Sequence, residues 1–448
     1  MKILIIGAGA VGGHLCSQLS SEGHEVTLID KDASRLRKIE NELNIMTIEG
    51  NGASAEVLEE AGVKKADLFI AVTNIDEVNL IACILAKEYG VVRKVARVRN
   101  EEYLSTSSPL NQSNLGLDLL INPDHAMAEE ILRICSHLEA FEAVELARGD
   151  VTLIGYEIKD KSPLCGITLM DLRELKGLYD FVIPAIVRHD ETIVPRGEDE
   201  IKPGDKIYFI VKKQDIPKIE ELIGVKSRAP NKVFVIGGGQ VGIRVARNLE
   251  KQDVQVYLVD EDPIRCEFLA EKLDKTIVLN VDGLDSHELI TEGIDTCDLV
   301  IAVTDEDTTN ILASLLAKHL GAKKCITRIS RPDFIPLLGK LGIDVPLSSR
   351  LVAANMILRF VRRGTILSAA TLLGSNAEVL EFIVSKMWPY LGLPLKDIPF
   401  PKGANVGAIV REGHAEIPTG ASVIRPDDKL IIFTLKNVAP KLERLFAG

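Results

Sequence analysis

The sequence predicts an α/β protein made of two tandem, doubly wound parallel sheets, each followed by a small α+β domain. Three observations predict it. Apolar strand runs end in glycine-rich turns, strands alternate with amphipathic helical stretches, and the whole pattern occurs twice. The first copy reads I-L-I-I-G-A-G-A-V-G over residues 3–12, and the second reads V-F-V-I-G-G-G-Q-V-G over residues 233–242. Each G-x-G-x-x-G is followed, at the same spacing, by an acid that closes the next apolar run: Asp30 and Asp260. One glycine-rich turn is a weak signal. Two in register, each with its acid, spell a duplicated Rossmann-like dinucleotide-binding module.

The first copy is read as strand 2–6, turn 7–12 and helix 11–22, stopped by Gly23. Strand 25–30, helix 33–43, strand 45–48, helix 55–61, strand 67–73, helix 77–89 and strand 94–99 follow. Strand–helix alternation of this length implies right-handed crossovers and a parallel sheet. Pro123 opens a last helix over 124–137, with Ala126, Met127, Ile131 and Ile134 along one side. After about residue 140 the pattern becomes β-rich over 144–158 and 181–194, with helices near 169–175 and 216–223 and a strand over 206–211.

The repeat extends through all of this. A-D-L-F-I-A-V-T at 66–73 answers C-D-L-V-I-A-V-T at 297–304, and Arg97 answers Arg328. I-V-P-R-G and P-G-D at 193–197 and 203–205 answer E-I-P-T-G and P-D-D at 416–420 and 426–428. The boundaries that follow are 1–138 and 231–364 for the nucleotide-binding folds, 139–227 and 365–448 for the small domains, with a short linker at 228–231.

Composition narrows the function classes. With 53 Lys and Arg against 65 Asp and Glu, the net charge of −12 argues against a general affinity for nucleic acid or anionic lipid. Seven cysteines at scattered positions, none in C-x-x-C spacing, suit buried reduced thiols. The uncharged stretch 3–21 is too rich in glycine and serine for a signal sequence, and no run is long enough for a membrane span, so a cytoplasmic protein is expected.

The candidate site follows from the glycine loops. A pyrophosphate needs backbone N–H groups brought close without side chains in the way. The first glycine permits the tight turn, the second the approach of the phosphates, and the third the packing of helix on sheet. These are Gly7, Gly9 and Gly12, then Gly237, Gly239 and Gly242. Asp30 and Asp260 stand where a carboxylate accepts from ribose hydroxyls, each such bond contributing about 1.5–3 kcal/mol. A carboxylate there also repels a 2′-phosphate, which favours NAD(H) or an adenine nucleotide over NADP(H). Thr73 and Thr304 close the fourth strands at the ligand edge of each sheet. Asn74 and Asp305 come next, with ribose contact and helix capping both open. Arg97 and Arg328 are candidate phosphate clamps, with pairing to a nearby carboxylate as the alternative. No metal-binding or nucleophile motif recurs in both halves.

These repeated motifs resemble the RCK/KTN domain family in tandem, over nearly the whole chain. The resemblance implies a regulatory gating protein, not an enzyme, that binds NAD(H) and as a second class ATP or ADP. It implies a homo-oligomeric ring, a tetramer, at the inner face of the membrane. That ring would sit beneath a potassium-conducting integral membrane subunit of the Trk type, without inserting into the bilayer. Carried over residue by residue, the contacts are Gly7, Ala8, Gly9, Ala10, Val11, Gly12, Asp30, Thr73, Asn74 and Arg97. In the second copy they are Gly237, Gly238, Gly239, Gln240, Val241, Gly242, Asp260, Thr304, Asp305 and Arg328. The family's third strand usually ends in Gly-Asp. Here Asn51 and Asp282 stand at that acid's position, and the departure at Asn51 makes unequal nucleotide preferences possible for the two sites. The helices at 124–137 and 349–363 are candidates for coupling, the second through Arg350, Arg359, Arg362 and Arg363. The rival readings are an NAD-dependent oxidoreductase with two Rossmann folds and a nucleotide-binding regulator of another transporter.

Overall fold

Strand 4 of the first half, L-F-I-A, is buried at every position, as expected of a parallel strand covered by helices on both faces. The same holds for its counterpart L-V-I-A in the second half. The structure, a computed structural model, describes the chain apart from residues 105–107, 109–110, 175–179, 190, 226–228, 362–365, 373–375 and 447–448.

The first half runs β1 (Lys2–Ile6), α1 (Ala10–Ser21), β2 (Glu25–Asp30), α2 (Ala33–Glu42), β3 (Met46–Glu49) and α3 (Ala55–Glu60). It continues through β4 (Leu68–Ala71), α4 (Asp76–Glu88), β5 (Arg93–Arg97), α5 (Gln112–Leu115), β6 (Leu119–Ile121) and α6 (Pro123–Cys135). A small antiparallel layer follows as β7 (Glu142–Leu146), β8 (Val151–Glu157), α7 (Leu169–Glu174), β9 (Phe181–Arg188), β10 (Glu191–Ile193), β11 (Lys206–Lys212) and α8 (Ile216–Ile223). The second half repeats the order with β12 (Lys232–Ile236), α9 (Gln240–Glu250), β13 (Gln255–Asp260), α10 (Pro263–Lys272), β14 (Ile277–Asn280) and α11 (Ser286–Thr291). Then come β15 (Leu299–Ala302), α12 (Asp307–Leu320), β16 (Lys324–Ile329), α13 (Ile335–Lys340), β17 (Val345–Ser348) and α14 (Ser349–Val361). Its small layer is β18 (Ile366–Thr371), β19 (Ala377–Ile383), β20 (Ala404–Arg411), β21 (His414–Glu416), β22 (Lys429–Leu435) and α15 (Ala439–Phe446).

Both large sheets are parallel and doubly wound, in the orders β3-β2-β1-β4-β5-β6 and β14-β13-β12-β15-β16-β17. The order reverses between β1 and β4, and between β12 and β15, so a ligand crevice opens at the carboxyl ends of those strands. The sixth strands were not legible in the sequence; L-L-I at Leu119–Ile121 is too short to show a period. The small sheets are antiparallel, with equivalent orders β10-β9-β11-β8-β7 and β18-β19-β22-β20-β21.

The chain divides into two compact units that each take a piece of both repeats: Met1–Leu132 with Pro230–Val361, and Arg133–Ala229 with Arg362–Gly448. In the first unit, α14 leaves its own half and packs on α1. Its Ala353, Ala354, Ile357, Leu358, Phe360 and Val361 join one core with Ile3, Ile5, Leu15, Leu19, Leu28 and Ile70 of the first half. Arg93 holds the far end of this helix. Its guanidinium donates to the Phe360 and Val361 carbonyls and lies 4.7 Å from the Phe360 ring centroid. In the second unit the two small sheets share a core in which Leu153, Tyr208 and Ile210 join Val379, Ile431 and Phe433. The repeated P-G-D and P-D-D turns are pinned by buried acids. Arg188 grips Asp205 through two contacts of 2.7 Å, and Arg411 grips Asp428 at 2.9 and 2.8 Å.

Candidate functional site

Gly7 has φ +103, and a Cβ there would lie 3.0 Å from the Thr73 backbone nitrogen. Gly12 brings α1 against β1 so closely that a Cβ would stand 1.8 Å from the Gly7 carbonyl oxygen. Gly9 is the reverse case: a Cβ would meet nothing within 4 Å, so this side of the turn is open. No side chain caps α1 at Gly9. The first turn therefore offers backbone N–H groups and the positive end of a helix dipole to open space, which favours an anion. The second loop repeats the design, with Gly237 at φ +107, a Gly242 Cβ position 1.9 Å from Gly237 O, and an open Gly239. It is tighter at one point. Ala8 fits in the first loop, whereas a Cβ on Gly238 would lie 2.4 Å from Leu269 Cδ1.

Asp30 and Asp260 are half-buried at the ends of β2 and β13. Asp30 accepts from Ala8 N at 2.5 Å and Asp32 N at 2.8 Å; Asp260 accepts from Gly238 N at 2.7 Å and Asp262 N at 3.0 Å. Each carboxylate thus pins its glycine loop through Oδ2 and its own following turn through Oδ1, and keeps other lone pairs for a hydroxyl donor. Asn51 and Asp282 are exposed, and each closes a turn, accepting from Ala53 N at 3.0 Å and Leu284 N at 2.9 Å.

Thr73 and Thr304 face inward. Thr73 donates its hydroxyl to Asn79 Oδ1 at 2.7 Å, and Thr304 donates to Asn310 Oδ1 at 2.8 Å. The two asparagines were not among the expected residues, although both copies place one as the fourth residue of the helix after the V-T strand end. They are buried, and each ties two strand ends together. Asn79 Oδ1 also accepts Thr73 N–H at 2.9 Å, while its amide donates to the Thr73 and Arg97 carbonyls at 3.1 and 2.8 Å. Asn310 does the same for Thr304 and Arg328. The usable signal was a polar residue repeated on the buried face of a helix.

Asn74 and Asp305 serve the arginines. Arg97 Nη1 donates to Asn74 Oδ1 at 2.8 Å and Arg328 Nη1 to Asp305 Oδ1 at 3.1 Å. Arg97 is 9% exposed, and its Nε has no hydrogen-bond partner among the described residues. Burial, and then the neighbouring Arg99, hold its pKa below the ordinary arginine value, with Asp124 and Asp76 opposing.

A cavity of about 650 Å³ opens on this first loop. Ala8, Gly9, Ala10, Val11, Asn74 and Arg97 line it, together with Arg328, Ser330, Ser349 and Arg350 from the second half. Gly7, Gly12, Asp30, Asn51 and Thr73 do not line it; they shape or flank the loop. Among the described residues its charged lining is Arg35, Lys38, Arg97, Arg99, Arg328 and Arg350 against Glu42 alone, a setting for a polyanion. An uncapped helix start, an open glycine and a buried guanidinium N–H without an acceptor fit the phosphates of an adenine nucleotide. In the second half a cavity of about 490 Å³ runs along α9 and α10, and Gln240 is the expected residue that lines it. There Arg265 Nε donates to the Gly238 carbonyl at 2.7 Å, lying over the loop. Of the basic residues expected on one face of the last helix, Arg350 lies in the first cavity. Arg362, Arg363 and the Arg359 side chain lie outside the described residues.

The model of the TrkA-N domain matches residues 3–123 and 233–349, and that of the TrkA-C domain matches residues 153–224 and 379–447. "Trk system potassium uptake protein TrkA homolog 1" of Methanosarcina mazei is 36% identical over the full length of both chains. The chain belongs to the TrkA family of potassium uptake proteins. Another member of the TrkA family, the Trk system potassium uptake protein TrkA of Halomonas elongata, is 35% identical over all of this chain and 98% of its own. Among solved structures, the GsuK RCK domain matches with a TM-score of 0.61 at 18% identity, covering 100% of this chain and 95% of its own. The GsuK channel bound to NAD matches with the same TM-score and identity, over 100% of this chain and 79% of that one. The TrkA-family chain shares the RCK fold with these structures.

Proposed function

We propose that this chain is the regulatory, gating subunit of a Trk-type potassium uptake system, and that NAD(H) or ATP/ADP in the glycine-loop clefts sets its state. The observation that carries the reading is the first cavity, where an open glycine loop faces a buried arginine whose Nε lacks an acceptor. A bound nucleotide would place its pyrophosphate on the α1 N-terminus and its ribose beside Asp30; Arg97 would hold a phosphate oxygen. Thr73 acts through its backbone, held by Asn79, and Asn51 and Asp282 shape the adjoining turns. Gly237, Gly239, Gly242, Asp260, Thr304 and Asp305 would form the corresponding second cleft, while their companion Arg328 lines the first cavity.

Among the described residues the cavity wall carries six cationic side chains and one carboxylate, Glu42, a lining suited to holding a polyanion. The wall is also shared between halves, and Arg350 stands at the start of α14, the helix exchanged onto α1. A ligand that binds one arrangement of these halves more tightly than another shifts the balance between them, and only by that difference. The same reading makes the chain a subunit of a homo-oligomeric ring. Among the described residues no helix is long and apolar enough to cross a bilayer.

Potassium uptake in cells that carry a Trk-type membrane subunit but lack this chain tests the proposal. Wild type is expected to restore regulated uptake. The Asp30→Ala, Asp260→Ala double variant is expected to lose nucleotide dependence while remaining folded by circular dichroism. Unchanged nucleotide-dependent uptake in the folded double variant would refute the assignment.

A further inference from the structure

The groove between α9 and α10 carries side chains that neither the fold nor the glycine loop requires. What those two need occurs in both copies: the loop glycines, the strand-end acids, and Arg35 with its match Arg265. The groove's other charges do not repeat. Arg244, Arg247, Lys251 and Lys272 stand where the first copy has His14, Ser17, Ser21 and Glu42, and Phe268 stands where it has Lys38. All five line the cavity of about 490 Å³, and Glu101 is its one acid among the described residues. Arg244 pairs with that acid at 2.5 Å, and Arg265 is held at the loop by the Gly238 carbonyl. Arg247, Lys251 and Lys272 are exposed and make no ion pair among the described residues. Phe268, 40% exposed, lies beneath the Arg265 and Lys272 charges, 4.9 and 5.7 Å from its ring centroid.

On a chain of net charge −12, unmatched cations gathered in one groove repel each other and favour an anion. Their spacing indicates its shape. Arg244, Arg247 and Lys251 follow one another a turn apart along α9, and Arg265, Phe268 and Lys272 do so along α10, in steps of about 5 Å. The carboxylates of a helix laid in the groove repeat at that same step, with an apolar residue between them for Phe268. The adjoining phosphates of one nucleotide do not span it, and a flat bilayer does not enter it. Among the described helices none carries three acids at successive turns, so a second copy supplies no such segment.

We propose that this groove docks an acidic helix of a different polypeptide. Its carboxylates meet Arg247, Lys251 and Lys272, and its apolar side chain rests on Phe268, the aromatic anchor of the contact. Among the expected nucleotide contacts it is Gln240 that reaches the groove, so the inference stands apart from the nucleotide reading.

Fluorescence anisotropy with the full chain tests it. The probe is a fluorescein-labelled, alanine-based helical peptide of about 18 residues, with glutamates at successive turns and one central leucine. Wild type is expected to bind it saturably, and to bind the same peptide with glutamine for glutamate about tenfold more weakly or worse. The double variant Arg247→Glu, Lys251→Glu should also lose about tenfold or more, and Phe268→Ala about threefold or more. Lys251→Ala, with its melting curve compared to wild type, guards against a misfolded charge reversal and should lose about twofold. Lys402→Glu, Lys441→Glu, the same charge change at exposed positions of the second unit, should stay within about twofold of wild type. Saturating ATP or NAD should leave the affinity unchanged, and sedimentation should give one mass for wild type and the groove variants. No binding by wild type, equal losses in the Lys402 and Lys441 variant, or displacement of the peptide by a nucleotide would overturn the inference. So would displacement by an oligonucleotide or phosphatidylserine vesicles at lower concentration than the peptide, or a changed mass in the groove variants. Those results would make the occupant a nucleic acid, a membrane or a second copy.

Discussion

Alanine at Gly12 is expected to destabilise the first half by roughly 3 kcal/mol or more, among the largest effects available to a single methyl group in this chain. The added Cβ would lie 1.8 Å from the Gly7 carbonyl oxygen, a backbone atom that no rotamer change can move. Relief requires α1 to lift from β1. That would disturb the core where Leu15 and Leu19 of α1 meet Ile357 and Leu358 of α14. The gain in helix propensity from glycine to alanine, roughly 1 kcal/mol, is too small to offset this. Gly9→Ala is the matched control. Its Cβ meets nothing within 4 Å and its φ is −70, so stability should stay within about 0.5 kcal/mol. Its methyl group would nevertheless stand on the open side of the loop and should weaken nucleotide binding. Amide hydrogen exchange by mass spectrometry separates the two. Gly12→Ala should speed exchange over β1 and α1 roughly a hundredfold, with β12 and α9 as the internal reference.

Leucine at Asn79 is expected to cost roughly 3–5 kcal/mol. Leucine has the same number and branching of side-chain heavy atoms as asparagine, though it is bulkier, and it can make none of the four hydrogen bonds. The Thr73 N–H and the Arg97 carbonyl lose these partners at the ends of two strands, and the Thr73 hydroxyl keeps only its contacts with the Ile75 backbone. The Thr73 carbonyl keeps only the longer contact with Arg97 Nη1, at 3.3 Å. Nucleotide affinity should fall as well, because Asn79 positions both Thr73 and Arg97. Asn310→Leu should produce the same loss in the second half. Faster exchange confined to β4, β5 and the start of α4 in the first variant, and to β15, β16 and the start of α12 in the second, is the expected result. Unchanged exchange would show that these asparagines hold nothing in place.

Much of the first unit was legible because its signals are local and repeated. Glycine loops, strand-end acids and the V-T strand ends occur twice in register, and the parallel strands read as short apolar runs. The sixth strands were not, since three or four residues carry no period. Asn79 and Asn310 escaped because a single buried polar residue on an apolar helix face looks like a solvated position until its partners are seen. The exchange of α14 onto α1 left no local trace: the helix is apolar in the same way whichever sheet it covers. That exchange is what carries Arg350, expected on a partner-facing helix, into the first cavity. Asn74 and Asp305 show the same limit, for both proposed roles fitted the spacing and the structure pairs them with arginines instead.

Isothermal calorimetry of the purified full chain against NAD, NADH, ATP and ADP, with Asp30→Ala, Asp260→Ala alongside, tests the central claim most directly. Saturable binding of at least one adenine nucleotide to the wild-type chain is expected, with its loss in the folded double variant. A wild-type chain that binds none of the four, or a double variant that binds as well as wild type, would contradict it.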